Sequence, residues 1–340
     1  MCKTYEASNF KKYYTEFLQS MKNEERYIDP DCVKTVDKTT FYADLTVFLN
    51  EREATLKNQY FKYYPPIKCS NYYPPVKNND NIKLDPNKIA VYKENKKLFI
   101  LTSDQFGFSA TEQIFLKNDK RYPLAKLNNL YNDESISNFI ADYVINTRTI
   151  GGSFIWPMQD GGSIYNISRG ICSYIEDRVD LTLLEIKHFY QCLKEFKEKN
   201  NDKDFLLSFN NKFPNDIIFR FPKANDKNKK LTECKLLYEW LSHFETFEKY
   251  IDFFMLNPFV IESITGNNTE YCPIDIIKSN IAEMKINPLK EREIDYQQKT
   301  IQQIKDAEII KLMLNNVKLM TIARSLMMES VIRDSKQHAI

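Results

Sequence analysis

The stretch Arg148–Gly170, RTIGGSFIWPMQDGGSIYNISRG, contains five of the seven glycines in a chain of 340 residues. Two short β-prone runs, SFIW and SIYNI, are joined by PMQDGG, where Asp160-Gly161 is a strong tight-turn signal because glycine readily adopts positive φ. Gly151 and Gly152 let the chain leave a preceding helix and turn into the first strand. The stretch therefore predicts helix, β-hairpin and helix, and turn geometry alone explains most of its glycines.

Apolar periodicity predicts helices on both sides of this stretch. Thr182 followed by Glu185 is a capping box that places the start of the next helix near 182. A polar turn between two β-rich runs predicts a hairpin over 88–103. Together these signals predict an α+β fold, mainly helical, with one or two small antiparallel hairpins or sheets. The predicted helices span 6–27, 36–61 (capped by Thr39 or Thr40), 134–147, a helix or helix pair over 235–256, and 289–335.

Three regions follow from this pattern. Residues 1–135 form an N-terminal helical region with the hairpin and a Tyr-Pro strap, YYPPIK (63–68) and YYPPVK (72–77). The strap either docks a partner or, as we favour, lies across the surface of its own domain. Residues 136–288 form a central α+β core. Residues 289–340 form a C-terminal helical arm, either docked or dimerising, whose apolar residues include Ile309, Leu312, Leu319, Ile322 and Leu326.

Charge and cysteine content narrow the class of protein. The net charge is +2, from 48 basic and 46 acidic residues, so no global field attracts nucleic acid or anionic membrane. The basic run KENKK (93–97) reads as a solvated loop or, less favoured, an anion contact. The seven cysteines are scattered without a CxxC, the N-terminus lacks an apolar signal core, and no apolar stretch spans a bilayer. We therefore expect a soluble cytoplasmic protein with no membrane contact.

Several familiar chemistries are absent from the sequence. There is no GxxxxGK[ST], GxGxxG, GxSxG or HExxH motif, so P-loop, dinucleotide, hydrolase-elbow and zincin chemistry are not supported. The chain has three histidines, each isolated on a predicted helix or tail, and these leave little for a metal centre or a Ser-His-Asp triad. We therefore predict no metal site. The cofactor stays open, with Mg²⁺ as the one candidate.

Charged side chains around the glycine stretch form the candidate site. Backbone amides at a glycine-containing helix start, next to an arginine, suit an anion. Two aspartates at a break between helical segments are the candidate catalytic base or metal ligands, although an Arg–carboxylate clamp plus an N-cap is the commoner arrangement. The candidate phosphate-binding residues are Arg148, Asn166, Arg169 and Arg178, and the candidate catalytic residues are Asp177 and Asp180.

These residues also suggest a family. The segments TIGGSFIWP, NISRG and IEDRVDLTLLEIKHFY resemble an uncharacterised family of bacterial and phage-borne proteins with a Thr-Ile-Gly-Gly segment, an Asn-x-x-Arg-Gly step and an Asp-Arg-x-Asp-Leu-Thr-Leu helix start. The resemblance covers about residues 140–305 and includes the candidate positions Asn166, Arg169, Asp177, Arg178 and Asp180. It implies a prokaryotic or phage origin and carries no established activity.

Three functions remain open at this point. The first is a phage-defence or toxin-like protein that acts on nucleic acid or a nucleotide through the Arg/Asp cluster. The second is a non-catalytic scaffold, regulator or inhibitor that binds a protein partner through the Tyr-Pro strap and C-terminal helices, with an oligomer as one form of it. The third is a small-molecule-binding domain that uses the same arginines. Convergence of the cluster on an open cleft would favour the first, and burial as mutual pairs would favour the second.

Overall fold

The structure is a computed structural model of the chain. The structure describes residues 38–57, 60–64, 89–93, 96–105, 143, 146–147, 149–158, 178–198, 205, 209, 212, 238–265, 268–290 and 306–338. In this part of the chain helices dominate, accompanied by one four-stranded and one two-stranded antiparallel sheet. The predicted α+β class, mainly helical with small antiparallel sheets, is confirmed. No helix in these ranges combines the length and apolar composition needed to cross a bilayer.

The larger sheet contains β1 (Lys62–Tyr64), β2 (Ile89–Lys93), β3 (Lys96–Gln105) and β4 (Ser153–Met158), paired in that order. Pairing of β2 with β3 confirms the predicted 88–103 hairpin. Strand β4 is the SFIW run, and it pairs with β3 through Thr102 opposite Trp156. Buried residues alternate onto both faces of the sheet, Ile155 on one and Trp156 on the other. The short apolar runs in β2 and β4 are therefore those of a strand covered on both sides.

The first described helix, α1 (Lys38–Ala54), begins one residue before its predicted caps and buries Phe48 and Leu49. The prediction that it runs to 61 is wrong. The Glu53 carboxylate accepts hydrogen bonds from the backbone N–H groups of Tyr60 (3.0 Å) and Phe61 (3.1 Å). These bonds turn the chain back beside the helix end, so that the aromatic residues that seemed to continue the helix lead into β1.

Helix α2 (Val179–Glu198) begins three residues before the predicted capping box. Thr182 lies inside the helix and is buried, and its hydroxyl donates weakly to the Arg178 carbonyl at 3.5 Å. The helix therefore starts three residues earlier than the capping-box pattern placed it. The apolar face is as predicted, with Leu183, Ile186, Tyr190 and Leu193 all buried.

The apolar run after 235 forms a helix pair, one of the two predicted arrangements. Residues 238–242 are helical and are followed by α3 (Phe247–Phe253). The break is built by Glu245 in the left-handed region (φ 65°) and by Thr246, whose side chain accepts from the Lys249 N–H as an N-cap. Trp240, Phe244 and Phe254 pack here, with ring centroids between 5.1 and 5.8 Å apart.

A second hairpin follows α3 and was not predicted. Strands β5 (Val260–Thr265) and β6 (Asn268–Pro273) pair in antiparallel register from Val260 opposite Pro273 to Thr265 opposite Asn268. Residues 274–290 then form an irregular segment closed by the bridges Ile274–Pro288 and Asn280–Lys285.

The last helix, α4 (Ala307–His338), packs against α1 and against the turn at Ile150–Gly152. It thus joins elements from all three predicted regions. Of the apolar residues named for this arm, Leu326 is 56% exposed, and Ile309, Leu312, Leu319 and Ile322 are only partly buried. The buried face of the helix carries polar residues between its apolar ones. Its buried members are Ile310, Met313, Leu314, Asn316, Val317, Met320, Thr321, Arg324, Ser325, Met328, Glu329 and Ile332.

Candidate functional site

The Thr-Ile-Gly-Gly segment is one 3₁₀ turn, Ile150–Gly152, that leads directly into β4. A β-carbon built on Gly151 would lie 2.3 Å from the Ser325 backbone nitrogen and 2.6 Å from the Thr321 carbonyl oxygen of α4. Contacts that short do not occur between real atoms, so only glycine allows the two backbones to approach. The close approach of α4 therefore requires glycine at position 151. This requirement adds to the turn geometry that we expected to explain the glycine.

Hydrogen bonds fix the same contact. The hydroxyls of Ser325 and Thr149 lie 2.5 Å apart, and the Gly151 N–H donates to Ser325 Oγ at 3.1 Å. All three residues are buried. Because buried polar groups without a partner are costly, a hydroxyl that serves two of them holds the turn firmly on α4.

Arg324 ties three segments together at this point. Its Nε donates to the Phe254 carbonyl at 2.9 Å, and one terminal nitrogen donates at 2.7 Å to the carbonyls of both Gly151 and Ser153. The side chain is fully buried, and burial lowers the pKa of Arg324 to about 9, while nearby Tyr250 opposes that shift. The guanidinium thus binds carbonyl dipoles at the start of β4 and just after α3.

Two of the six predicted site residues lie in the described part of the chain, and they bind each other. Arg178 Nε donates to Asp180 Oδ1 at 2.9 Å, and Arg178 Nη2 donates to Oδ2 at 3.0 Å. This bidentate pair is 4% and 1% exposed, and the Ile276 N–H approaches Asp180 Oδ2 at 3.5 Å. The arrangement is the Arg–carboxylate clamp that the sequence left open, and it fixes the first turn of α2. Arg148, Asn166, Arg169 and Asp177 lie outside the described residues.

Asp275 adds a second buried carboxylate beside this pair, and sequence reasoning missed it. Its Oδ1 accepts from the N–H groups of Ile277 (3.0 Å) and Lys278 (3.1 Å). Burial, and then the nearby charge of Asp180, raise the pKa of Asp275, although these two hydrogen bonds oppose the shift. Across the described ranges no three His, Cys, Asp or Glu side chains converge as a metal site. We therefore assign no metal to the two carboxylates.

Glu53 is the centre of another buried polar cluster that the sequence did not reveal. In addition to the two backbone groups already described, its Oε2 lies 3.0 Å from both the Tyr63 hydroxyl and His243 Nε2. Burial, and then Glu53, raise the pKa of Tyr63 well above its ordinary value. The cluster joins α1, β1 and the turn that follows the helical residues 238–242. Its members are too far apart in sequence for spacing to have shown it.

A family model matches part of the chain. Residues 74–221 match the family described as Family of unknown function (DUF6994). The expectation of an uncharacterised family is confirmed over this range, which begins and ends earlier than the predicted 140–305. No curated protein and no solved structure matches the chain.

The matched range contains the Thr-Ile-Gly-Gly turn, β4 and the whole of α2. It does not contain Arg324 or Ser325, which bind that turn. In this chain, therefore, residues more than a hundred positions beyond the matched range complete the packing of the family segment.

Proposed function

We propose that this chain is a prokaryotic or phage-type cytoplasmic protein that binds nucleic acid or a nucleotide through Arg148, Asn166 and Arg169, in the manner of a phage-defence or toxin protein. The observation that carries the proposal is the anchoring of both elements that flank 159–177. Buried polar contacts fix the start of β4 through Arg324, and the start of α2 through the pair of Arg178 with Asp180. Binding residues are commonly carried by connections between such fixed elements.

Chemistry at this connection suits a phosphate. Arginine recognises phosphate oxygens by paired hydrogen bonds, and glycine-rich backbone offers N–H groups without steric hindrance. Segment 159–177 and Arg148 together supply two arginines, one asparagine and three glycines. We assign phosphate contact to Arg148 and Arg169.

The geometry supports binding more strongly than catalysis by two carboxylates. Both oxygens of Asp180 accept from Arg178 in a buried pair, and Asp180 is only 1% exposed, so its carboxylate is not presented to a substrate or a Mg²⁺ ion. Arg178 is likewise committed to that carboxylate. We therefore treat Arg178 and Asp180 as positioning residues, and propose Asp177 as the carboxylate for Mg²⁺ if the ligand brings that ion.

A second candidate function is a non-catalytic regulator or inhibitor of another protein. The observation that favours it is the same buried Arg178–Asp180 pair, because mutual pairing was the outcome expected of a structural cluster. The C-terminal helix gives this candidate less support, because Met313, Met320 and Met328 of α4 are buried in the core and are not available to contact a partner. The Tyr-Pro strap is its remaining docking candidate; beyond Tyr63 and Tyr64, it lies outside the described residues.

Thermal-shift screening separates the two candidates. Wild type and the Arg148→Ala/Arg169→Ala double variant are melted with nucleotides, short RNA and DNA, inorganic phosphate, and Mg²⁺ or Mn²⁺. A ligand that binds the native state raises the melting temperature in proportion to RT ln(1 + [L]/Kd). The proposal expects a shift in wild type that is lost in a double variant with an unchanged ligand-free melt. No shift with any probe would overturn it and leave the regulator as the better account.

A further inference from the structure

Helix α4 has a second apolar face on the side that points away from the core. Leu312, Leu319 and Leu326 follow one another at intervals of seven residues. Leu319 precedes the fully buried Met328 by about two and a half helical turns, so the two side chains lie on opposite sides of the helix. Leu326 is more than half exposed, and Leu312 and Leu319 are partly exposed. We call these three residues the leucine face.

Core packing does not explain the leucine face. A helix with one side in the core normally carries polar residues on the other side, and leucines exposed singly are common. A strict seven-residue interval is different, because it keeps apolar side chains in line along the seam between two supercoiled helices. Asn315, Ile322 and Ala323, which flank this seam, are uncharged. The pattern therefore indicates another helix as the partner.

The turn at 280–285 adjoins the leucine face. Asn316 lies one helical turn from both Leu312 and Leu319, and its Oδ1 accepts a backbone N–H of this turn at 3.0 Å. Met284 in the turn is 78% exposed and lies in the left-handed region (φ 57°), which costs energy for any residue except glycine. Strained backbone of this kind is characteristic of surfaces that bind. Met284 therefore adds apolar area beside the leucines.

Charged side chains at the two ends of the leucine face are paired within the chain. Glu308 lies 3.0 Å from Lys311, and Arg333 lies 3.7 Å from Glu329. These pairs leave neither end with a marked excess of one sign, so the face does not favour a strongly charged partner such as nucleic acid. For the same reason, two identical copies of the face can approach each other without repulsion.

We infer that the leucine face is a homodimer interface, where α4 packs antiparallel against the same helix of a second copy. The three leucines are symmetric about Leu319, so a two-fold axis at that residue places Leu312 opposite Leu326 of the second copy. Two-fold symmetry is the commonest arrangement of soluble oligomers, and antiparallel alignment sets the helix dipoles favourably. The seam is only about 21 Å long, so we expect a reversible dimer.

Sedimentation velocity of the full chain tests the inference, over about 1–200 µM, the range of affinity expected for a small interface. The average mass should rise with concentration from 40.3 kDa towards twice that value. Leu319→Glu and Leu319→Lys each place like charges against each other at the two-fold axis, and each should weaken the dimer by about tenfold or more. An equimolar mixture of the two variants pairs opposite charges and should recover most of the wild-type affinity.

Tyr60→Glu and Ser263→Glu are the matched controls, because they introduce the same charge at exposed positions of other elements. Each should change the dimer affinity less than about twofold at physiological salt, and the melting temperature of every variant checks its fold. A wild-type protein that stays monomeric throughout, a dimer that Leu319→Glu leaves intact, or a mixture no more dimeric than its components would overturn the inference. None of these outcomes bears on the proposed phosphate site, which thermal shift tests separately.

Discussion

Gly151 contacts Ser325 so closely that a β-carbon on the glycine would lie 2.3 Å from the serine backbone nitrogen. The two residues are 174 positions apart, and the Gly151 N–H donates to the Ser325 hydroxyl. The contact joins a turn in the family-matched range to a helix outside it. It makes α4 part of the structural support of the candidate site.

Gly151→Ala is expected to be strongly destabilising. The obstructing atoms belong to the backbone of α4, so rotation of a side chain cannot relieve the clash and the helix must shift. We expect a loss of about 3 kcal/mol or more in the free energy of unfolding, at the upper end of overpacking effects. Ser325→Ala, which removes the hydroxyl without adding volume, should cost about 1–2 kcal/mol. Urea unfolding measures both, and a Gly151→Ala protein as stable as wild type would show that the contact is looser than described.

Arg324 provides the second test of this support. Arg324→Met keeps much of the aliphatic volume but leaves the carbonyls of Gly151, Ser153 and Phe254 without their donor. Since a buried acceptor without a partner costs about 1–3 kcal/mol, we expect a loss of about 3 kcal/mol or more. Gln337→Met, at an exposed position of the same helix, is the control and should change stability by less than about 0.5 kcal/mol. Similar effects for the two variants would argue against the three-carbonyl arrangement.

A double-mutant cycle tests whether Arg178 and Asp180 position α2. Removing one member of a buried ion pair leaves an uncompensated charge, so Arg178→Met and Asp180→Leu should each cost about 3–5 kcal/mol. The double variant should cost less than the sum, with a coupling of roughly 2 kcal/mol. If instead the single variants melted like wild type and weakened only ligand binding, the pair would belong to the binding site and not to its support.

Asp275 predicts a pH dependence of stability. Its pKa is raised in the folded protein, so its contribution is fully present below the unfolded value of 3.8 and is lost as the pH rises through the folded value. Asp275→Asn keeps an oxygen for the N–H groups of Ile277 and Lys278 and removes the titration. The stability of the variant relative to wild type should therefore increase between pH 3.8 and about pH 7. Urea unfolding at both pH values measures it, and a difference that stays constant or falls with pH would contradict the assignment.

Local signals predicted the parts of this fold that depend on neighbouring residues. The polar residues around 94–95 predicted the β2–β3 hairpin. Apolar periodicity predicted the buried face of α2, which includes Leu183 and Ile186. The β5–β6 hairpin was also readable, because Gly266-Asn267 separates two β-prone runs by two residues.

Long-range polar contacts explain what the sequence did not show. Helix α1 ends early because Glu53 accepts from Tyr60 and Phe61, and the buried face of α4 includes Arg324 because three carbonyls surround it. Neither effect has a signature in spacing or composition. From the sequence, an Arg178–Asp180 clamp was one of two alternatives for these charged residues. The folded geometry shows that the two side chains bind each other and are buried.

We propose that a phosphate-bearing ligand binds between β4 and α2, and hydrogen–deuterium exchange of the full chain is the measurement that tests this site. Exchange is compared with and without the nucleotide that gives the largest thermal shift. Binding at this site should slow exchange in peptides covering 148–178, leave β5 and β6 unchanged, and give no protection in Arg148→Ala/Arg169→Ala. Protection confined to other parts of the chain, or unchanged in the double variant, would show that the ligand binds elsewhere.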